Sequence, residues 1–209
     1  KSLLSVLSKY KIEIISSGDT YKKIKKFGFE NIKISSFTES NEILGGRVKT
    51  LHPKIHAGIL NIRNNKNHRI DLIKNNFKEI DLVIVNFYPF KNVIKKNNNF
   101  KNIIESIDIG GPALVRSAAK NFHDVLVITN PKNYIDVVNE INKYKGSTSL
   151  NFRQQMAVNA FNEIANYDSI IANYFNDKFN IKFPNKKTFT GELIENLRYG
   201  ENPHQKAAI

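Results

Sequence analysis

The residues best suited to chemistry lie in one basic, glycine-rich stretch, 45–53, which reads GGRVKTLHP. Two adjacent glycines allow positive φ angles and a close approach of the backbone to a ligand. Arg47 and Lys49 supply fixed positive charge, and the hydroxyl of Thr50 can donate a hydrogen bond. Pro53 suits the first position of a helix, where its missing N–H is no loss. This combination predicts a binding site for an anion such as a phosphate, although it is also typical of a basic surface loop closed by a helix cap.

Three more loops carry polar groups where a parallel sheet would gather them. They are SSGDT at 16–20, NFYPF at 86–90 and DIGGP at 108–112. Each follows a predicted strand or opens a predicted helix, and ligands of open parallel sheets bind beyond the carboxyl ends of the strands. We therefore expect the loops to converge on one site. A plainer alternative exists for each loop, such as helix capping by Asp108 or a solvated charge at Lys120.

Strands and helices alternate in the pattern that would position these loops. Strands are predicted over 12–15, 31–37, 82–85 and 124–130. Helices are predicted over 3–10, 20–28, 53–63, 68–77, 101–107, 113–120, 131–144 and 148–176. The alternation predicts an α/β fold with a mainly parallel sheet and a helical extension.

Two of these helices have a predicted buried face. In 68–77 the face is formed by Ile70, Ile73 and Phe77. In 148–176 it is formed by Phe152, Met156, Val158, Phe161, Ile164, Tyr167 and Ile171.

The composition excludes several classes of protein. The 209 residues include no cysteine, which rules out disulfides, thiolate metal sites and a cysteine nucleophile. No apolar run approaches the roughly 18 residues that would span a bilayer, and no secretory signal opens the sequence, so we expect a cytoplasmic protein without a membrane partner. The formal net charge is +13, but the lysines are scattered among asparagines and isoleucines. We therefore do not expect a nucleic-acid partner.

Metal and nucleotide motifs of the common kinds are missing from the sequence. His52 and His56 have a zinc-compatible spacing, but no acidic third ligand lies near them, so no metal site is predicted. The patterns GxGxxG, GxxxxGK[ST] and GxSxG are absent. Their absence argues against ordinary dinucleotide-binding, P-loop and α/β-hydrolase proteins.

Five motifs occur in an order that resembles a known family. SSGDT, LGGRVKTLHPKIHAGIL, NFYPF, DIGGPALVRSAAKN and LRYGENPHQ are similar to the inosine-monophosphate (IMP) cyclohydrolase domain of the bifunctional purine-biosynthesis family PurH. The resemblance covers nearly the whole chain. It implies a methylglyoxal-synthase-like three-layer α/β sandwich with a mainly parallel sheet, followed by a helical extension. It also implies ring closure of formylated aminoimidazole carboxamide ribotide (formyl-AICAR, FAICAR) to IMP with loss of water.

The resemblance carries further expectations about ligands and partners. The ligand would be a purine nucleotide monophosphate, and the cyclohydrolase step would need no cofactor. The second activity of the family, AICAR formyltransferase, uses 10-formyltetrahydrofolate in a domain that this sequence does not contain. The full-length protein would be a homodimer.

The resemblance also assigns roles to residues of this sequence. Catalytic roles fall on Lys49, Tyr88, Asp108 and Lys120. Substrate-binding roles fall on Ser17, Gly18, Thr20, Arg47, Thr50, Asn86, Ile109 and Gly110, and formyltransferase-side substrate binding on Arg198 and Tyr199. One hypothesis pairs Asp108 with Lys120 to accept the proton of the attacking carboxamide. Lys49, Tyr88 or backbone N–H groups of the Gly110–Gly111 turn would stabilise the charge on the formyl oxygen.

Two features depart from the family pattern. Asp19 stands where the family usually has a second glycine, so it either points outward or weakens phosphate binding. The family normally opens with a strand and a SVSDKT-like loop, of which Lys1 and Ser2 match only the end, so we expect a strand and part of the site to be missing. The expected boundaries are a cyclohydrolase domain over 1–147, a helical extension over 148–190 and the start of a formyltransferase domain over 191–209.

Other functions stay open on the residues alone, because a fold does not fix a function. A methylglyoxal synthase would place carboxylates for proton abstraction beside the phosphate loop. A non-catalytic, phosphate-binding module would bind nucleotide without turnover. A basic RNA-binding protein would show an affinity that falls steeply with salt.

Overall fold

Short parallel strands alternate with helices in the computed structural model, which describes residues 1–87, 90–96 and 99–209. The strands are β1 (Ile15–Ser16), β2 (Ile32–Lys33), β3 (Leu82–Ile84) and β4 (Leu126–Ile128). The helices are α1 (Ser2–Lys9), α2 (Gly18–Lys26), α3 (Ile34–Thr38), α4 (Pro53–Leu60), α5 (Lys66–Lys74), α6 (Phe90–Lys96), α7 (Phe100–Glu105), α8 (Gly110–Lys120), α9 (Tyr134–Lys143) and α10 (Leu150–Lys178). The predicted α/β class is confirmed.

The described strands form two parallel pairs. β1 pairs with β2 in the register Ile15 with Ile32, and β3 pairs with β4 in the register Val83 with Val127. Parallel strands need a crossover that returns the chain to the same end of the sheet, and the intervening helices supply it. The predicted preference for parallel pairing is therefore confirmed.

Helices cover both faces of the β3–β4 pair. Alternate strand residues point to opposite faces, as the period of two requires. Val83 and Val127 pack into a core with α3, α4, α8 and the first part of α10. Leu126 and Ile128 pack into a second core with α1 and α9. This arrangement gives the helix–sheet–helix layering that was expected of a methylglyoxal-synthase-like fold.

Two predicted strands are wrong over most of their length. The strand expected over 12–15 shares only Ile15 with β1. Residues 31–37 were expected to be extended, but β2 ends at Lys33 and α3 follows immediately. Ile34 and Phe37 are both buried at a spacing of three, which suits one face of a helix and not one face of a strand. The hydroxyl of Thr38 also donates to the carbonyl of Ile34 at 3.0 Å.

The buried face of α5 was also predicted wrongly. Ile70 and Ile73 are exposed, and the buried residue of this helix is Leu72. The two isoleucines share a helical face with each other, but the spacing alone does not say whether that face meets the core.

In α10 the buried stripe is partly made of alanines. Val158 and Phe161 are exposed, whereas Ala157 and Ala160 are buried together with Ile164. Small side chains let the helix axis approach the core closely, so the larger neighbours at the sides of the stripe stay outside. The predicted face is confirmed at Met156, Ile164 and Tyr167, which are buried. It is wrong at Val158 and Phe161, because the prediction counted large apolar residues only.

The chain divides into two compact units, Lys1–Ile164 and Ala165–Ile209. In the second unit the end of α10 is followed by mostly irregular chain. The hydroxyl of Ser169 donates to Thr188 at 2.7 Å, and the rings of Phe175 and Phe179 stack at 5.8 Å. In the part of the chain that the structure describes, no helix combines the length and the apolar character needed to cross a membrane.

The contrast between adjacent residues of α5 gives a test of the core. Leu72→Ala should lower the free energy of unfolding by about 2–5 kcal/mol, because it empties a buried position. Ile73→Ala, at a position 70% exposed, should change it by no more than about 0.5 kcal/mol. Urea denaturation of both variants measures the difference, and equal losses would contradict the observed orientation of the helix.

Candidate functional site

The basic loop, residues 45–53, begins with a tight turn that is closed by backbone hydrogen bonds. Ile43 and Val48 form an antiparallel bridge, with Ile43 N–H donating to the Val48 carbonyl at 3.3 Å. Inside the turn, Gly45 and Gly46 have φ angles of +64° and +90°, which favour glycine. A Cβ added at Gly46 would lie 2.7 Å from Cε of Lys49, so the lysine side chain lies directly across this glycine.

Both cations of the loop are paired with carboxylates. Nζ of Lys49 lies 3.2 Å from Oε2 of Glu42, and Nε of Arg47 lies 3.3 Å from Oε2 of Glu105. Sequence reasoning missed both glutamates. Glu42 precedes the glycine pair closely enough to be considered, but nothing in the sequence pattern links Glu105 to Arg47.

The helix start after the loop was predicted correctly. Pro53 is the first residue of α4, and His52 is its N-cap. Nδ1 of His52 accepts a hydrogen bond from the backbone N–H of Lys54 at 3.1 Å, which satisfies one of the free donors at the helix start. His52 therefore caps α4, the role preferred for it over metal binding.

The basic loop meets the DIGGP turn at Thr50. A Cβ added at Gly110 would lie 2.5 Å from Oγ1 of Thr50, so only a glycine allows this approach. A Cβ added at the next glycine, Gly111, would lie 3.0 Å from Cγ1 of Val85, just beyond β3. The structure thus brings a predicted phosphate-binding residue and a predicted base-pocket residue into contact.

The side chain of Asp108 accepts from the start of α8, although it stands one position before the N-cap residue, Ile109. Its Oδ1 accepts a hydrogen bond from the backbone N–H of Gly111 at 2.9 Å, at the start of α8. The alternative that Asp108 is a capping residue is therefore realised. The same hydrogen bond fixes the direction of the carboxylate beside the Thr50–Gly110 contact.

Lys120 does not join this group of residues. It is the last residue of α8, so about 15 Å of helix separates it from the turn that holds Asp108. The catalytic role of Lys120 stays a prediction, but Asp108 and Lys120 form no direct pair in this structure. The reason is that the helix carries the two residues to opposite ends.

Of the other predicted site residues, Asn86 is hydrogen-bonded to another side chain, whereas Ile109 is exposed at the start of a helix. The amide of Asn86 donates to the hydroxyl of Tyr134 at 2.8 Å, and this hydroxyl donates back to Oδ1 of Asn86. Ile109 is exposed and is the N-cap of α8. Tyr88, predicted to be catalytic, lies outside the described residues.

The SSGDT loop lies beyond the carboxyl end of β1. Ser17 is the N-cap of α2, and Gly18 has a φ of +52°. Thr20 is exposed in the first turn of this helix. Asp19 points outward, with its carboxylate 3.4 Å from Nζ of Lys22, which answers the question that the sequence left open. The convergence of this loop with the basic loop stays a prediction.

The last two predicted site residues lie near the end of the chain. Arg198 and Tyr199 lie in the second unit and are exposed, so their role stays a prediction. Within residues 1–87, 90–96 and 99–209, no three His, Asp or Glu side chains come together as metal ligands would.

A histidine links the two helices that carry the meeting loops. Nδ1 of His56 on α4 lies 3.0 Å from the hydroxyl of Ser117 on α8, while its Nε2 is buried without a hydrogen-bond partner among the described residues. Burial lowers the pKa of His56 below its ordinary value of 6.5, and the backbone of Thr50 offsets part of that shift. The ring therefore stays neutral more readily than an exposed histidine.

Comparisons with known proteins agree with this arrangement. Residues 2–113 match the MGS-like domain family, and residues 118–209 match the AICARFT/IMPCHase bienzyme family. The crystal structure of ForH has a TM-score of 0.72 and 29% sequence identity, and the similarity covers 83% of this chain and 90% of that one.

Two curated relatives carry the name bifunctional purine biosynthesis protein PurH. The protein from Leptospira biflexa is 47% identical over 208 residues, which are 99% of this chain and 40% of the relative. The protein from Bradyrhizobium diazoefficiens is 44% identical over 203 residues, which are 97% of this chain and 38% of the relative.

The family models and the relatives place the chain at two levels, a domain class and a family. The class is an MGS-like domain followed by AICARFT/IMPCHase sequence. The chain belongs to the PurH family, and it spans about two fifths of the length of the curated relatives that it matches.

Two single substitutions, Gly45→Ala and Gly46→Ala, should distinguish the effect of backbone strain from the effect of displacing the Lys49 side chain. Gly45→Ala and Gly46→Ala each place a side chain at positive φ, which costs about 1–2 kcal/mol. Only Gly46→Ala also pushes Lys49 away from its position beside Glu42. We expect Lys49 to react several-fold faster with an amine-selective reagent in Gly46→Ala, as measured by mass spectrometry. Equal rates in the two variants would contradict this packing.

The buried His56 should make stability depend on pH. Because its folded-state pKa is lowered, the unfolded chain binds the proton more readily, so this contribution is complete above pH 6.5 and is lost as pH falls below it. His56→Asn keeps an acceptor near the hydroxyl of Ser117 but cannot titrate. Denaturation of both proteins between about pH 7 and pH 5 should show a steeper loss for the parent. Parallel curves would exclude the effect.

Proposed function

We propose that this chain is an IMP cyclohydrolase of purine biosynthesis, which closes the ring of formyl-AICAR to give IMP and water. The family of the chain supports a role in purine biosynthesis, because its relatives are named for that process. The observation that carries the specific step is the contact between Thr50 of the basic loop and Gly110 of the DIGGP turn. This contact puts groups that suit a phosphate beside groups that suit ring closure.

Ring closure needs a proton acceptor and groups that stabilise negative charge on an oxygen, and we assign both to these loops. The carboxamide nitrogen attacks the formyl carbon and loses one proton, and the formyl oxygen gains negative charge. The oxygen takes up that proton and the proton of the formylamino nitrogen, and it leaves as water as the new C=N bond forms. Asp108, whose direction is fixed by Gly111 N–H, is the group we assign to accept the proton. Lys49, held across Gly46, and the start of α8 are the groups that we assign to stabilise the oxygen.

Holding the two reacting groups of one molecule in contact is a further part of the proposal. Ring closure is intramolecular, so a site that fixes the phosphate end and the base end of the ribotide selects the reactive conformation. The step involves no change of oxidation state. We therefore propose a purine nucleotide monophosphate as the ligand and no cofactor for this step.

Other parts of the family's biochemistry are proposed for the whole protein. Formyl transfer from 10-formyltetrahydrofolate would involve Arg198 and Tyr199 together with sequence beyond this chain. A homodimer is the proposed assembly of the full-length protein.

A non-catalytic nucleotide-binding module is the second candidate. The observation that favours it is the position of Lys120 at the far end of α8, which takes one proposed catalytic group away from Asp108. Such a module would bind IMP through the basic loop without turning over formyl-AICAR.

Turnover distinguishes the two candidates. We expect the 209-residue chain to convert formyl-AICAR to IMP in a spectrophotometric assay, with the Leptospira biflexa relative run in parallel as the reference. A folded chain that binds IMP in calorimetry but shows no turnover, while the relative is active, would overturn the cyclohydrolase and establish the binding module.

Asp108→Asn tests the assignment of the proton acceptor. The asparagine keeps an Oδ1 that can accept from Gly111 N–H, so the cap survives, but it cannot take a proton. We expect kcat to fall by about 10²–10⁴, with little change in IMP affinity. Asp71→Asn on α5 is the control for the loss of one negative charge. An unchanged kcat in Asp108→Asn would remove Asp108 from this role.

A further inference from the structure

The two carboxylates that pair with the basic loop differ in their exposure to solvent. The Lys49 and Glu42 side chains are 34% and 30% exposed, and the lysine is packed across Gly46. The Arg47 and Glu105 side chains are 63% and 51% exposed, and their contact is made through Nε of the arginine. Lys49 is thus held from two sides, whereas Arg47 is held by one solvated carboxylate.

A solvated ion pair of this kind is easily exchanged. Exposed pairs contribute little to stability, because water screens the charges and two long side chains must be ordered. A phosphate group carries up to two negative charges and can accept two parallel hydrogen bonds from a guanidinium. A phosphate ester is therefore a stronger partner for Arg47 than the single contact with Glu105.

The position of Glu105 makes it dependent on this arginine. It is the last residue of α7, where the helix dipole disfavours a negative charge. It also lies three residues before Asp108, a second carboxylate on the same short connection. Arg47 is the cation that pairs with Glu105.

We propose that Glu105 is an internal competitor for the phosphate of the nucleotide. In the unliganded chain its carboxylate occupies Arg47, and the phosphate displaces it on binding. Glu105 is thereby a specificity-determining residue, because a nucleoside without phosphate has nothing to exchange for the carboxylate. This inference rests on the proposed function in two respects, namely that the ligand is a nucleotide monophosphate and that Arg47 binds its phosphate.

Calorimetry with IMP and inosine tests the exchange. Glu105→Gln removes the competing charge, so the Kd for IMP should fall by up to about fivefold, whereas inosine binding should not change. Glu13→Gln is a matched control, because Glu13 pairs with Lys78 at 3.2 Å and these side chains are 48% and 67% exposed. It makes the same change in net charge and should leave the Kd for IMP unaltered.

A double-mutant cycle identifies the arginine as the site of competition. Arg47→Gln should weaken IMP binding, and adding Glu105→Gln to it should give no gain. If Glu105→Gln binds IMP no more tightly than Glu13→Gln does, the inference is wrong and the proposed function stands. If the parent chain does not bind IMP at all, the proposed function and the inference both fall.

Discussion

The packing of α4 against α8 is the contact on which the site depends. Ile55 and Ile59 of α4 lie in one buried core with Val115, Ala118 and Ala119 of α8. Just past α8, the buried amide of Asn121 donates to the carbonyls of Ile59 and Asn61, each at 2.8 Å. Carbonyls at a helix end have no partner within the helix, and that of Asn61 also accepts from Nη1 of Arg63 at 3.0 Å. Packing and hydrogen bonding together set the register of the two helices.

The register of α4 and α8 determines which loops come into contact at the other end of these helices. α4 begins directly after the basic loop and α8 begins with the DIGGP turn, so fixing the helices fixes the loops. The His56–Ser117 contact lies between the two ends and joins the same helices. The chemistry proposed for the loops thus depends on apolar and polar contacts that touch no ligand.

The strong positive charge of the chain is not concentrated at the site. Arg47 and Lys49 each have a carboxylate within 3.4 Å, so the loop is locally close to neutral despite a net charge of +13. If the loop binds an anion as proposed, its selectivity would depend on exchange of partners and on backbone geometry, because the paired cations leave no bare positive field.

Local signals in the sequence predicted much of this structure, and tertiary contacts explain the misses. The apolar runs of β3 and β4 and the His52–Pro53 helix start depend on neighbouring residues, so they could be predicted. The exposed Ile73 depends on which side of α5 meets the core, and the Arg47–Glu105 pair joins distant parts of the chain. Motif resemblance placed Asp108 and Lys120 together, whereas the intervening helix separates them.

The pair formed by Asn86 and Tyr134 has a consequence for the hydrogen-bonding groups that Asn86 presents to its surroundings. Because one hydroxyl both accepts from and donates to the same amide, the pair can form with the amide in either orientation. Each orientation leaves one N–H and one oxygen lone pair directed elsewhere, with their positions exchanged. The amide of Asn86 can therefore turn over and exchange the positions of its free donor and its free acceptor while it stays hydrogen-bonded to Tyr134.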